Sequence, residues 1–132
     1  MKLSLFTDIG LRVLMRLAGD PERRFSNGDL SEELKVSRNH LNKVVSKLVK
    51  SGYISAKRGN QGGVALAKLP EEIRIGDVVA TLEAEIPLVD CFKCQGASCT
   101  LMTKCLLAKR LAKARDEFVA SLNTGTLRHV AI

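Results

Sequence analysis

The stretch from Ser26 to Lys68 restricts the possible fold more than any other part of the chain. A short helical pattern from Ser26 to Leu34 turns Leu30 and Leu34 inward, and the break Lys35-Val36-Ser37 follows it. From Arg38 to Ser51, Leu41, Val44, Val45 and Leu48 recur at helical spacing and share one face. The other face carries Arg38, Asn39, His40, Lys43, Lys47 and Lys50, and Ser37 has the side chain of an N-cap. A short helix, a tight turn and a basic amphipathic helix form the helix-turn-helix pattern, whose second helix fits the major groove. A surface helix carrying solubilising bases would look similar up to this point, so the next residues decide.

They read as a hairpin. Tyr53–Lys57 and Val64–Lys68 have strand character and flank the tip Arg58-Gly59-Asn60-Gln61-Gly62-Gly63. A glycine-rich tip can approach a sugar–phosphate backbone closely. The rival reading, a nucleotide phosphate loop, needs a Gly-Lys-Ser/Thr and a following helix, and neither is present. A basic helix followed by a basic hairpin is a winged helix, with the wing placed against phosphates or the minor groove. The candidate DNA contacts are therefore Ser37, Arg38, Asn39, His40, Lys43 and Lys47, with Arg58, Gly59, Gln61, Gly62 and Gly63 of the wing.

Charge points the same way. The chain carries a net +7, yet its asymmetry says more than the total. Between Lys35 and Pro70 there are eight Lys or Arg residues and no Asp or Glu, whereas the other ninety-six residues hold thirteen basic against fourteen acidic. A block without acids suits a polyanionic partner. Aromatic residues are sparse (Phe6, Phe25, Tyr53, Phe92, Phe118), which argues against stacking of unpaired bases and for double-stranded DNA. No run of about 18 apolar residues exists, so no membrane span is expected.

The remaining segments frame this unit. Phe6, Ile9, Val13 and Leu17 predict a helix over residues 4–18, capped by Ser4 or Thr7 and stopped at Gly19-Asp20-Pro21. Asp8 falls in its first turn, where a carboxylate suits the helix dipole. A further helix is expected over residues 73–85, with Ile75, Val78, Val79 and Leu82 inward, ending at Ile86-Pro87. From Thr100 to about Leu122 the pattern is helical again, and Leu107, Leu111, Ala114 and Phe118 follow the four-then-three step of paired helices. So long a helix is explained by a homodimer on a two-fold symmetric, palindromic DNA site, or by folding back on its own domain. The expected class is mainly α with a small β-hairpin wing. Residues 1–85 form the winged helix-turn-helix domain, 86–105 a cysteine-rich loop, and 100–132 a dimerisation helix and tail.

All four cysteines, Cys91, Cys94, Cys99 and Cys105, lie within fifteen positions. Crowding of this kind asks for a shared partner: disulfides, a structural zinc or an iron–sulfur cluster. Disulfides belong to small secreted domains, and the N-terminus meets Asp8 before any signal-like run develops, so a reducing, cytoplasmic setting is expected. Zinc sites favour two close pairs, and only Cys91-x2-Cys94 forms one. A cluster accepts ligands spread along an irregular loop, and spacing alone leaves zinc and iron–sulfur open.

The motifs resemble a known family. Thr7-Asp8-Ile9-Gly10-Leu11-Arg12 is similar to the opening of the bacterial iron–sulfur winged-helix repressors of the IscR/NsrR type, although Ile9 stands where they commonly have Tyr. Ser37-Arg38-Asn39-His40-Leu41-x-Lys43-Val44 resembles their recognition helix in the nitric-oxide-sensing NsrR branch. The wing, Ile75-Gly76-Asp77-Val78-Val79 and Val89-Asp90-Cys91-Phe92 are similar too, so the likeness spans nearly the whole chain. A histidine found in the IscR branch after the last cysteine is replaced here by the Leu107-Ala108 region. The resemblance implies a cluster held by Cys91, Cys99 and Cys105, with Asp8 of the partner subunit as fourth ligand. Cys94-x4-Cys99-x5-Cys105 resembles a second spacing of the family, which makes Cys94 a spare or exchangeable thiol.

The resemblance implies a dimeric repressor that carries a 4Fe–4S cluster and responds to nitric oxide. A 2Fe–2S cluster in a redox- or cluster-supply-sensing regulator of the same fold is the nearest alternative. A zinc-stapled winged-helix interaction module and a basic iron–sulfur electron carrier stand further off. No catalytic constellation is present: Ser37 has no acid–base partner nearby in sequence, and His40 lies inside the basic face, far from the cysteines. A non-enzyme is expected.

Overall fold

The computed structural model describes residues 2–92, 99–101 and 105–132. Helix α1 (Leu5–Gly19) begins where the Ser4 hydroxyl accepts the Thr7 N–H at 3.1 Å. Its periodic Ile9, Val13, Leu14 and Leu17 are buried, and the face they form packs on the elements that follow. Helix α2 (Asn27–Leu34) is capped by Ser26, and it ends at Lys35, the one described non-glycine residue with positive φ (52°). The turn is closed from both sides: Val36 N–H donates to the Ser31 carbonyl at 3.1 Å, and the Ser31 hydroxyl donates to the Val36 carbonyl at 2.7 Å. Helix α3 (Arg38–Lys50) then starts at Ser37, with Leu41, Val44, Val45 and Leu48 buried as the spacing predicts.

Strands β1 (Ile54–Lys57) and β2 (Gly63–Leu66) pair antiparallel in the register Ile54↔Leu66 to Lys57↔Gly63. Both are shorter than the sequence pattern suggests, and the tip closes one residue earlier, because Gly63 joins the ladder opposite Lys57. A single bridge from Phe25 to Val64 adds a third partial strand, which alternation along the hairpin could not reveal.

A 3-10 turn at Pro70–Glu72 leads to helix α4 (Ile75–Leu82), shorter than the expected 73–85. The reason lies at the far end of the chain. Ile73 is buried in extended backbone, where its carbonyl accepts the Leu127 N–H at 2.8 Å, so it cannot enter a helix. Helix α5 (Leu106–Leu122) also starts later than Thr100, since Cys105 takes an extended conformation immediately before it. Beyond α5 the chain turns back: Arg74 bridges Thr126, and Ile132 N–H donates to the Met15 carbonyl at 3.1 Å. The residues after Asn123 thus close over α1 and pack with the winged helix.

One apolar cluster joins these parts. It takes Val13, Leu14 and Leu17 from α1, Leu30 from α2, Leu41, Val44 and Leu48 from α3, Val64 from the wing, Val78 and Leu82 from α4, and Leu127 from the tail. At about 1.5–3 kcal/mol for each large side chain buried, that cluster is what sets the recognition helix against α1. Helix α5 contributes no buried residue and touches the domain through α4. There a Cβ on Gly76 would lie 2.2 Å from the Val119 carbonyl oxygen, so only glycine permits this crossing. Asp77 and Asn123 lock it: Asp77 N–H donates to Asn123 Oδ1 at 2.9 Å, and Asn123 Nδ2 donates to Asp77 Oδ1 at 2.7 Å. Among the described residues, no helix is long and apolar enough to cross a membrane.

Candidate nucleic-acid interface and its link to the cysteine segment

Because the apolar stripe of α3 faces the core, its other side is outward by necessity. Ser37, Arg38, Asn39, His40 and Lys43 are all exposed. The Ser37 hydroxyl accepts the His40 N–H at 3.2 Å, which fixes its role as a cap and places it at the helix start. Arg38 lies against Gly28 at the beginning of α2, and Asn27 donates to Asn42 at 2.8 Å, so α2 and α3 are joined along the face that a duplex would meet. Lys47 differs from the others. It is half-buried, and its ammonium sits 3.5 Å from Glu85, a residue of the segment leading to the cysteines.

In the wing, Arg58, Gly59, Asn60 and Gln61 are exposed at the tip, and Gly62 N–H closes the turn on the Gly59 carbonyl at 2.9 Å. Gly63 does different work from the tip glycines. It lies in β2 with φ 121°, and a Cβ there would meet the Phe25 carbonyl oxygen at 2.6 Å. The tip and the outer face of α3 are exposed parts of one basic block, while the inner face of α3 is spent on the core.

Asp8 is exposed on the first turn of α1 and forms an ion pair with Arg12, one helical turn on, at 2.8 Å. Arg12 also donates from its other terminal nitrogen to the Leu34 carbonyl at 3.3 Å, at the last residue of α2. One guanidinium therefore bridges Asp8 and the helix-turn-helix turn. Its Nε is buried and has no partner among the described residues, so the group is held by the two contacts it does make. An exposed pair of this spacing contributes only about 0.3–0.5 kcal/mol. The pair therefore costs little to break. Arg12 lies four residues from Asp8 in the Thr7–Arg12 motif, and that i,i+4 spacing is a signal from which the pair could have been read. Nothing local foretold Leu34.

The start of α1 is pinned to the end of α4 by Glu83. Its Oε1 accepts the Ser4 N–H at 2.9 Å and the Ser4 hydroxyl at 2.8 Å, and the Ser4 hydroxyl in turn reaches Thr7, which is fully buried. Burial pushes the Glu83 carboxyl upward. The side-chain hydrogen bond of Thr7 and the two from Ser4 outweigh it, and its pKa lies below the ordinary glutamate value. Beyond Glu83 the chain enters a groove of about 890 Å³ between α4 and α5, lined by Leu3, Val79, Ile86, Pro87, Phe92 and Phe118.

Cys91 sits in a 3-10 turn (Asp90–Phe92) whose Phe92 lines this groove, and Cys105 immediately precedes α5. Cys91, Cys99 and Cys105 are free and half-buried, while Cys94 falls outside the described residues. Three thiols left unused by core or disulfide, together with an exposed carboxylate, suit an iron–sulfur cluster as a donor set. Among the described residues the single chain does not gather three such ligands closely enough to hold a metal ion.

An exposed basic recognition helix, a basic wing and a core that fastens both to α1 define a winged-helix DNA-binding regulator. The chain belongs to the Rrf2 family, whose description is an iron-dependent transcriptional regulator and whose profile matches residues 3–131. Family members are DNA-binding transcription regulators rather than enzymes. Among solved structures, CymR (YrzC), the global cysteine regulator of B. subtilis, is 27% identical, with a TM-score of 0.77 over 99% of this chain and 96% of that one. The oxidized form of Staphylococcus aureus CymR is 26% identical, with a TM-score of 0.73 over 99% and 96%. IscR of T. potens shares the fold at 23% identity, with a TM-score of 0.74 over 96% and 83%.

Proposed function

We propose that this chain is an NsrR-like repressor: a cytoplasmic homodimer that binds a palindromic operator and releases it when nitric oxide reacts with a bound 4Fe–4S cluster. The observation that carries the reading is the bridge from Asp8 through Arg12 to the Leu34 carbonyl. It supplies a physical path from a candidate iron ligand to the turn that orients the recognition helix. Cys91, Cys99 and Cys105 would hold the cluster, and Asp8 of the partner subunit would complete the set. When bound, the cluster supplies iron for nitric oxide to attack, and a hard carboxylate oxygen is its most readily displaced ligand.

The protein's own part is then mechanical. With Asp8 engaged elsewhere, Arg12 keeps only its contact to Leu34; with Asp8 free, the ion pair re-forms and the guanidinium is shared. Each arrangement biases the α1–α2 packing differently, which is what a coupling between two sites requires. Arg38, Asn39, His40 and Lys43 would read bases and phosphates, and Arg58 and Gln61 would hold the wing to the backbone.

Anaerobic purification with iron, sulfide and zinc assays, followed by nitric oxide titration against operator binding, tests this directly. Four irons per chain, and absorbance lost in step with DNA affinity, are expected. Asp8→Ala is expected to retain cluster but change its rate of reaction with nitric oxide; unchanged spectra and kinetics would remove Asp8 from the site. A second reading is favoured by the three free, half-buried thiols and by the likeness to a regulator solved in an oxidized form. In it, thiol or 2Fe–2S redox state controls binding. Operator affinity that follows oxidant and ignores nitric oxide would select that reading, and zinc without sulfide would leave a metal-stapled DNA-binding module.

A further inference from the structure

The wing is fastened to the molecule by more than its two strands. Phe25, in the loop after α1, donates its N–H to the Val64 carbonyl at 2.9 Å and accepts the Val64 N–H at 2.8 Å. Beside it, Arg24 donates to the Gly63 carbonyl at 3.0 Å, and its other terminal nitrogen lies 3.5 Å from the Ser55 hydroxyl, so one guanidinium touches both strands. The Phe25 ring is fully buried, and two guanidiniums lie over it, Arg16 at 4.6 Å and Arg23 at 4.4 Å from the centroid. Arg16 belongs to α1, about two turns beyond Asp8, and it also pairs with Glu33 near the end of α2.

Arg16 is therefore where α1, α2 and the wing root meet. A guanidinium can do this where an ammonium cannot, because its flat face covers a ring while its edge donates to a carboxylate. We propose that Arg16 is a positioning residue for the wing: through Phe25 it fixes the wing's orientation on α1, so that wing and recognition helix meet DNA as one unit. The inference rests on the reading of Arg58 and the tip as DNA contacts, and adds what aims them. Helix α1 has two outputs on this view. Arg12 acts on the helix-turn-helix turn, and Arg16 with Phe25 acts on the wing, so a displacement of α1 shifts both.

A double-mutant cycle tests the proposal, with the duplex that the native protein selects from a random-sequence pool as probe. In the native background, Arg58→Ala is expected to weaken binding and lower the log–log salt slope by about one. Arg16→Lys keeps a cation for Glu33 and removes the flat face over Phe25. In that background Arg58→Ala is expected to have an effect at least about threefold smaller, a coupling of the size found between residues that share a structural element. Phe25→Leu, which leaves an apolar side chain in the core and removes the ring, is expected to reduce the effect likewise. Thermal unfolding of each background, with binding referred to the folded fraction, separates loss of fold from loss of aim. An Arg58→Ala effect of equal size in all three backgrounds overturns the positioning role while leaving the wing on DNA. No Arg58→Ala effect in the native background removes the wing from the interface, and the positioning role with it.

Discussion

Gly76, Asp77 and Asn123 help hold the long helix to the domain. Gly76 admits the Val119 carbonyl, and Asn123 exchanges hydrogen bonds with Asp77. Gly76→Ala must push α5 off α4 and is expected to cost about 1–3 kcal/mol, as overpacking does. Asn123→Ala removes two hydrogen bonds and is expected to cost about 1–3 kcal/mol. Urea unfolding checks both, as a lowered midpoint with an unchanged slope. Glu83 contributes to the acid side of stability. Its folded-state pKa is depressed, so its contribution is complete above the unfolded glutamate value of about 4.3 and is lost as pH falls through the lower folded value. Glu83→Gln is therefore expected to flatten the acid limb of a stability–pH curve below about pH 4.3, while the native chain loses stability there. Gly76 and Asp77 were legible in the sequence as part of a helical motif. Asn123 was not, because its partner lies 46 residues away.

Among the elements, α5 shows the least internal packing. Leu106 and Leu107 are 71% and 63% exposed on a helix that buries nothing, which is what an unpaired dimer helix looks like in one chain. Leu107→Glu is expected to halve the mass in sedimentation and to weaken operator binding by more than about tenfold, since two half-sites would then be bound separately. A change in affinity with no change in mass would place Leu107 elsewhere. The tail behaves in the opposite way. Leu127 is buried in the same core as α1 and α3, so Leu127→Ala is expected to cost about 2–5 kcal/mol and to loosen the domain that presents the recognition helix.

At the scale of the molecule, the basic block dominates. Eight cations without an acid between Lys35 and Pro70 are expected to give log affinity for DNA a steep linear dependence on log salt. Lys43→Glu is expected to lower affinity for specific and random duplexes alike and to reduce the slope by about one. An unchanged slope would take Lys43 off the phosphates. On the proposed reading, α1 is the element that links the signal to this surface. Helix α1 carries Asp8 at its start and Arg12 and Arg16 along its length, and it packs on α3, α4, β2 and the tail.

The sequence by itself determined what depends on neighbours in the chain. Helical periodicity set the faces of α1, α2 and α3, serine caps set their starts, a glycine-rich tip between two short strand-like segments marked the hairpin, and a stretch without acids marked the basic block. Only the tertiary structure decided what depends on distant partners. It shortened α4 because Ile73 pairs with Leu127, added Phe25 to the wing, returned the tail to the core, and joined Arg12 to Leu34 and Glu83 to Ser4. The physical reason is one of range. Backbone propensity and amphipathicity are encoded within a few residues, whereas an extended segment or a polar side chain is specified by whichever donor or acceptor the fold brings opposite it.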